Sequence, residues 1–131
     1  MIEHYKYYRL SLEERELIIK RIRAILKEEG VPLAILFGSF IELDAFRDVD
    51  VAVYLRRVDP DHLLRLANRV EGELGLPVDV IPLNTVSSKF RHHILTKGCV
   101  ILEEQPGLHE ALIIQALDEI TLLESGGKRK V

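Results

Sequence analysis

The chain has no tryptophan, one methionine and one cysteine among 131 residues. With Cys99 alone, no internal disulfide can form, which suits a reducing compartment. No apolar run approaches the roughly 20 residues that cross a bilayer. Residues 1–6 lack the basic-then-apolar order of a secretory signal, so the expected location is cytoplasmic. Nor does one sign of charge prevail: 18 basic residues stand against 21 acidic ones, with a formal net charge of -3. Such a chain has no global field to gather long nucleic acid, and strong binding of that kind is not expected. Low-complexity stretches and repeats are absent too. What remains is an ordinary globular balance, 47% apolar and 30% charged, long enough to bury a core as one domain. That domain is expected over 1–125, with a disordered tail over 126–131.

Helix and strand signals alternate along the domain. Ser11 with Glu14 forms a capping box, Ile18, Ile22 and Ile25 follow at helical spacing, and Gly30 closes the run. Residues 12–29 therefore read as an amphipathic helix. Residues 32–37 are short, apolar and stopped by Gly38, as in a buried strand. Residues 48–55 alternate polar and β-branched side chains, predicting a second strand. Asp59-Pro60 suits the start of a helix that runs to about Leu74 before Gly75. A strand over 77–83, a helix over 86–97 ending at Gly98, a strand over 99–103 and a helix over 108–124 complete the pattern. With a short helix after Gly38, the expected class is α/β (α+β): a small mixed sheet of about four strands flanked by helices.

Three features carry chemistry. Residues i and i+2 of a strand share a face, so Asp48 and Asp50 are expected to project together, away from Val49, Val51 and Val53. Two carboxylates this close repel unless a cation lies between them, and a hard divalent ion is the natural partner for such oxygens. Asp79, between Val78 and Val80, places a third charge in an apolar strand, which is costly unless paired or metal-bound. If these two strands are neighbours, all three carboxylates reach one sheet face. Gly38-Ser39 supplies the complement. Glycine lets the backbone approach a ligand, and a helix opening at Ser39 would turn free N–H groups toward a phosphate. Each feature alone has an ordinary structural reading; their joint occurrence in this order favours a metal–triphosphate site.

Over roughly residues 15–105 the pattern resembles the minimal nucleotidyltransferases of the DNA polymerase β superfamily. The resemblance rests on Ile35-Leu36-Phe37-Gly38-Ser39, then Asp48-Val49-Asp50-Val51, then Val78-Asp79-Val80-Ile81. A closing Lys97-Gly98-Cys99-Val100-Ile101-Leu102 extends it. It implies a nucleotidyltransferase fold. It also implies that Gly38 and Ser39 hold the triphosphate of ATP or another NTP, that Asp48, Asp50 and Asp79 bind Mg²⁺, with two ions expected, and that Asp79 lies nearest the attacking hydroxyl. The segment from Phe40 to Arg47 is shorter than the usual family spacing, and Arg47 stands where a serine is common, which brings Arg47 into consideration as a phosphate contact. The implied reaction moves a nucleoside monophosphate, AMP above others, to a hydroxyl. Stand-alone members of this family often act as antitoxins to a helical HEPN-type partner, some by adenylylating its tyrosine. The alternative is a catalytically inactive relative that neutralises such a partner by contact alone.

Other residues are expected to be structural. Adjacent His92 and His93 point about 100° apart on a helix and do not suit one metal. Lys89 and Arg91 read as a solvated helix face, and Tyr5, Tyr7 and Tyr8 as cover for the core edge. The last helix carries more apolar surface than one face needs: Leu112, Ile113, Ala116, Leu117, Ile120 and Leu123 form a stripe, with Leu108, Ile114 and Leu122 outside it. That excess raises the expectation of a partner or a second copy there, as a homo-oligomer.

Overall fold

A computed structural model describes residues 7–126; Tyr5 and the tail over 127–131 lie outside them. Helix α1 (Leu12–Glu28) starts where the sequence places it. Ser11 Oγ accepts from the Glu14 N–H and the Glu14 carboxylate accepts from the Ser11 N–H, at 3.1 and 2.8 Å. Such a cap contributes about 1 kcal/mol. Strand β2 (Leu33–Phe37) runs into the one-turn helix α2 (Ser39–Glu42), followed by β4 (Val49–Tyr54), α3 (Pro60–Leu74), β5 (Val78–Pro82), α4 (Ser88–Lys97), β6 (Cys99–Glu103) and α5 (Leu108–Gly126). Two short strands, β1 (Tyr8–Arg9) and β3 (Ala45–Phe46), form a separate antiparallel ladder that periodicity did not reveal. Ladders of two residues carry too little alternation to read. Tyr8 stacks on Phe46 across it at 5.7 Å, while Tyr7 is exposed.

The main sheet is mixed, in the order β5-β4-β2-β6. β2 runs antiparallel to both neighbours, and β4 and β5 are parallel, joined by α3. Strand alternation sorts the core into two layers. Val49, Val51, Val53, Val78, Ala34 and Leu36 face α1 and α3, where Ile22, Ile25, Leu26, Leu66 and Val70 are buried. Leu33, Ile35, Ala52 and Leu83 face α4 and α5 against Ile94, Leu95, Leu108, Leu112 and Ala116. Because the second layer covers Leu33, Ile35, Ala52 and Leu83, it closes over one end of that face.

Gly98 makes the turn from α4 into β6 possible. A Cβ there would lie 2.5 Å from Ile35 Cγ2, 2.6 Å from the Ile94 carbonyl and 2.9 Å from the Leu36 carbonyl, closer than real Cβ contacts. On α5 the buried line is Leu108–Leu112–Ala116, one residue every turn, whereas Leu117 and Leu123 are exposed with Ile114 and Leu122. The expected stripe is thus corrected: α5 meets the sheet along a narrow i, i+4 seam, which brings Leu108 in and leaves Leu117 out. Among the described residues no helix is long and apolar enough to cross a membrane.

Candidate active site

The pairing of β4 with both neighbours decides where the acidic residues lie. Asp50 stands opposite Phe37 on β2 and opposite Asp79 on β5. Side chains in register on adjacent strands project to one face, about 4.8 Å apart along the hydrogen-bonding direction. Phe37, Asp50 and Asp79 therefore form a row across three strands, on the α4/α5 face. Asp48 does not sit in the strand as the sequence suggested. It occupies the bend between β3 and β4, half-buried, two residues before Asp50. Its charge still reaches Asp50: burial first, then the carboxylates of Asp48 and Asp79, push the Asp50 carboxyl up from 3.8 to about 6. Asp79 is exposed at the edge strand.

Gly38 backs directly onto this row. It has φ 79° and ψ -159°, a conformation open to glycine, and a Cβ on it would meet Asp50 Oδ2 at 2.3 Å. Backbone and carboxylate thus occupy adjoining space. The Gly38 carbonyl accepts from the N–H groups of Ile41 and Glu42 at 3.1 and 3.0 Å, so the amides of Ser39 and Phe40 precede the first intrahelical bond. With one turn, α2 has little dipole to offer; its N–H groups are what can meet a phosphate oxygen.

The segment after Ser39 has a structural logic that its sequence concealed. Phe40 is buried and meets Phe46 edge-on at 4.9 Å, while Glu42, Leu43 and Asp44 are exposed. Arg15, on α1, binds the whole segment. Its guanidinium donates to the carbonyls of Phe40, Leu43 (3.0 Å) and Asp44 (2.7 Å). It also lies 5.1 and 5.2 Å from the ring centres of Phe40 and Phe46. Nothing in the sequence singled out Arg15, which reads as one charge on a solvated first turn. Arg47 is exposed immediately before Asp48.

Arg91 is the clearest departure from expectation. It is buried rather than solvated, donating to the carbonyls of Leu83 and Val86, both at 2.9 Å, and to Glu119 at 3.0 Å. These bonds tie α4 to the loop after β5 and to α5, beside a cavity of about 150 Å³ lined by Tyr54, Asn84, Gln115 and Glu119. Tyr54 is four residues along β4 from Asp50, so this cavity lies at the other end of the strand. Lys89 and His93 are exposed.

The donor set fits a hard divalent cation in kind: three carboxylates and no thiolate or imidazole. It is not a preformed cage. Among the described residues no three acidic, histidine or cysteine side chains are close enough together to hold a metal ion as they stand. Asp48 lies half-buried in the bend before β4, and Asp79 is exposed on the edge strand β5.

The chain matches a known family. The family model described as "Polymerase beta, Nucleotidyltransferase" matches residues 20–107. The chain belongs to the polymerase β nucleotidyltransferase family. A search of curated protein sequences found no match. Among solved structures, the family member is similar to a chain of the MntA–HepT toxin–antitoxin complex, with a TM-score of 0.70 and 20% identity, over 86% of this chain and 92% of that one. A chain of the complex between MNT antitoxin and tri-AMPylated HEPN toxin from Shewanella oneidensis gives 0.72 and 20%, over 87% and 92%. A chain of a toxin–antitoxin structure with AMP-PNP gives 0.73 and 21%, over 84% and 92%. At such identities the likeness establishes the nucleotidyltransferase fold.

Proposed function

We propose that this nucleotidyltransferase transfers AMP from ATP, with Mg²⁺, to a hydroxyl group on a HEPN-type partner protein, and so acts as an antitoxin. The observation that carries the reading is the register of Asp50 with Asp79, with Asp48 two residues away and the Gly38 backbone against the Asp50 carboxylate. Mg²⁺, when bound, would supply positive charge to offset the negative charge that develops in the transfer. Asp48 and Asp50 would hold it on the nucleotide side. Asp79, exposed at the sheet edge, is the carboxylate best placed to meet an acceptor from outside and to take the proton from its hydroxyl. The Gly38-Ser39 amides and the Ser39 hydroxyl would orient the triphosphate, with Arg47 at the margin. The acceptor oxygen bonds to the α-phosphorus, the bond to the bridging oxygen breaks, and pyrophosphate leaves. Rate comes from positioning and electrostatics, with no covalent enzyme intermediate.

The partner is inferred from one relative described in complex with a HEPN toxin and another in the MntA–HepT toxin–antitoxin complex, together with the absence of a separate acceptor-binding unit among the described residues. The decisive experiment incubates the chain with α-³²P-ATP and Mg²⁺, with and without a HEPN-type protein as acceptor. Label on the partner, lost in Asp50→Ala and Asp79→Ala, supports the reading; no transfer under any condition removes it.

One observation favours a second reading, neutralisation by contact alone. Ile114, Leu117, Leu122 and Leu123 of α5 are exposed, more apolar side chains than a solvent-facing helix end needs. Partner inhibition that survives Asp50→Ala would select it.

A further inference from the structure

We propose that Phe90, set edge-on against Phe37, is the platform on which the base of the nucleoside triphosphate stacks. This rests on the nucleotidyl-transfer reading and adds the part of the site that the carboxylates leave undefined, namely where the nucleoside goes.

The sheet row dictates the neighbourhood. Phe37 is the direct cross-strand partner of Asp50 and immediately precedes Gly38. A triphosphate held between the Gly38-Ser39 turn and the carboxylates has this end of β2 beside it. Toward the other end, the same face is closed by Ile94, Leu95, Leu112 and Ala116. The first turn of α4 brings Phe90 onto the open part: its ring centre is 5.9 Å from that of Phe37, with the planes at 82°. Phe90 is nevertheless 41% exposed, and Tyr7 is the other aromatic side chain among the exposed large apolar residues described. An exposed ring that touches a neighbour edge to face keeps aromatic surface available for a third flat group.

The platform is also fixed in place. The Phe90 N–H donates to Ser87 Oγ at 3.3 Å, capping the helix at this turn. The next residue, Arg91, is buried and bonded to Leu83, Val86 and Glu119. The backbone beneath Phe90 is thus held on both sides, and little order has to be gained on binding. Every base has a π face, so stacking of this kind accepts purines and pyrimidines with similar geometry. The platform gives affinity for a nucleoside without itself choosing adenine.

The absence of tryptophan from the chain allows a direct test. The Phe90→Trp variant carries one indole, whose emission is followed during titration with Mg-ATP and, separately, with Mg-tripolyphosphate, which has no base. Calorimetry on the wild-type chain and on Phe90→Ala runs in parallel. Stacking predicts quenching by ATP and GTP but not by tripolyphosphate. It also predicts about tenfold weaker ATP binding in Phe90→Ala with tripolyphosphate binding unchanged. Equal ATP affinity of Phe90→Ala and wild type, or the same emission change with tripolyphosphate, overturns the platform and leaves the transferase reading standing. A tyrosine-containing peptide that quenches where ATP does not overturns it in favour of the acceptor ring. Failure of the wild-type chain to bind either ligand removes the transferase reading itself, and the platform with it.

Discussion

The backbone of Gly38 and the carboxylate of Asp50 share a boundary with no room for a methyl group: a Cβ at position 38 would lie 2.3 Å from Asp50 Oδ2. The atom it would strike is the end of a side chain, so the clash is relieved by turning the carboxylate. The damage from Gly38→Ala therefore falls on the site more than on the fold. Backbone strain at φ 79° costs about 1–2 kcal/mol, and on the proposed function a displaced Asp50 should abolish Mg-ATP binding. Calorimetry should find no nucleotide binding by Gly38→Ala, in a protein that still unfolds cooperatively. Tight nucleotide binding by that variant would mean the two groups do not define one site.

Asp50 also makes stability depend on pH. Its carboxyl is raised from 3.8 to about 6 in the folded chain, by burial and then by Asp48 and Asp79. A raised carboxyl pKa means the unfolded chain releases its proton first. Stability is therefore fullest below pH 4 as far as this group is concerned, and is lost as pH rises toward and past 6. Because Asp50 is half-exposed, solvent screening reduces the effect to about 1–2 kcal/mol. In a chelator, Asp50→Asn should raise Tm above pH 6 and leave it unchanged near pH 4. Added Mg²⁺ should reverse the ranking at neutral pH, because it stabilises the chain that keeps its carboxylate. A Tm difference that does not vary with pH would show that Asp50 is not crowded by the other two.

Most of this site was legible because strands and caps obey short-range rules. Asp50 and Asp79 interrupt β-branched runs, and a charge in such a run marks a strand with one face in need of a partner. The boundaries of α1 and α3 followed from Ser11, Asp59 and the glycines at 30 and 75. What stayed hidden depends on residues far apart in sequence. Arg15 reaches carbonyls 25 to 29 residues away, and no local pattern separates such an arginine from a solvated one. Arg91 looked solvated for the same reason, since its buried setting is made by Leu83, Val86 and Glu119 together. The α4 start was placed two residues early, at 86 rather than 88, because the cap falls to Ser87. On α5, an apolar excess on several sides hid which seam would meet the sheet.

Gly98 shows a close approach of another kind. The atoms that a Cβ would meet include the carbonyls of Ile94 and Leu36, and backbone cannot step aside as a carboxylate can. Gly98→Ala should therefore destabilise the fold by about 2 kcal/mol, as overpacking does, and lower Tm by about 8 °C. Because the Leu36 carbonyl immediately precedes Phe37 of the carboxylate row, nucleotide affinity should fall together with Tm. Loss of affinity with Tm intact would reverse this assignment.

Arg15 makes the last prediction, and it separates position from charge. One guanidinium donates to three carbonyls of the segment that follows Ser39 and lies against two rings of the same segment. Lysine keeps the charge but, as a compact point donor, cannot reproduce that planar spread. Hydrogen bonds from a charged donor contribute about 1.5–3 kcal/mol each when buried; here the one to Phe40 is part-buried and the two to Leu43 and Asp44 are exposed, so a total near 2 kcal/mol is expected. Hydrogen exchange over 38–44 should accelerate in both Arg15→Lys and Arg15→Met, while the strands keep their protection. If the segment presents the phosphate-binding amides, KM for ATP should rise severalfold in both variants with kcat changed less, since the carboxylates stay in place. Rescue by lysine of exchange protection and KM alike would show that charge alone is what position 15 requires.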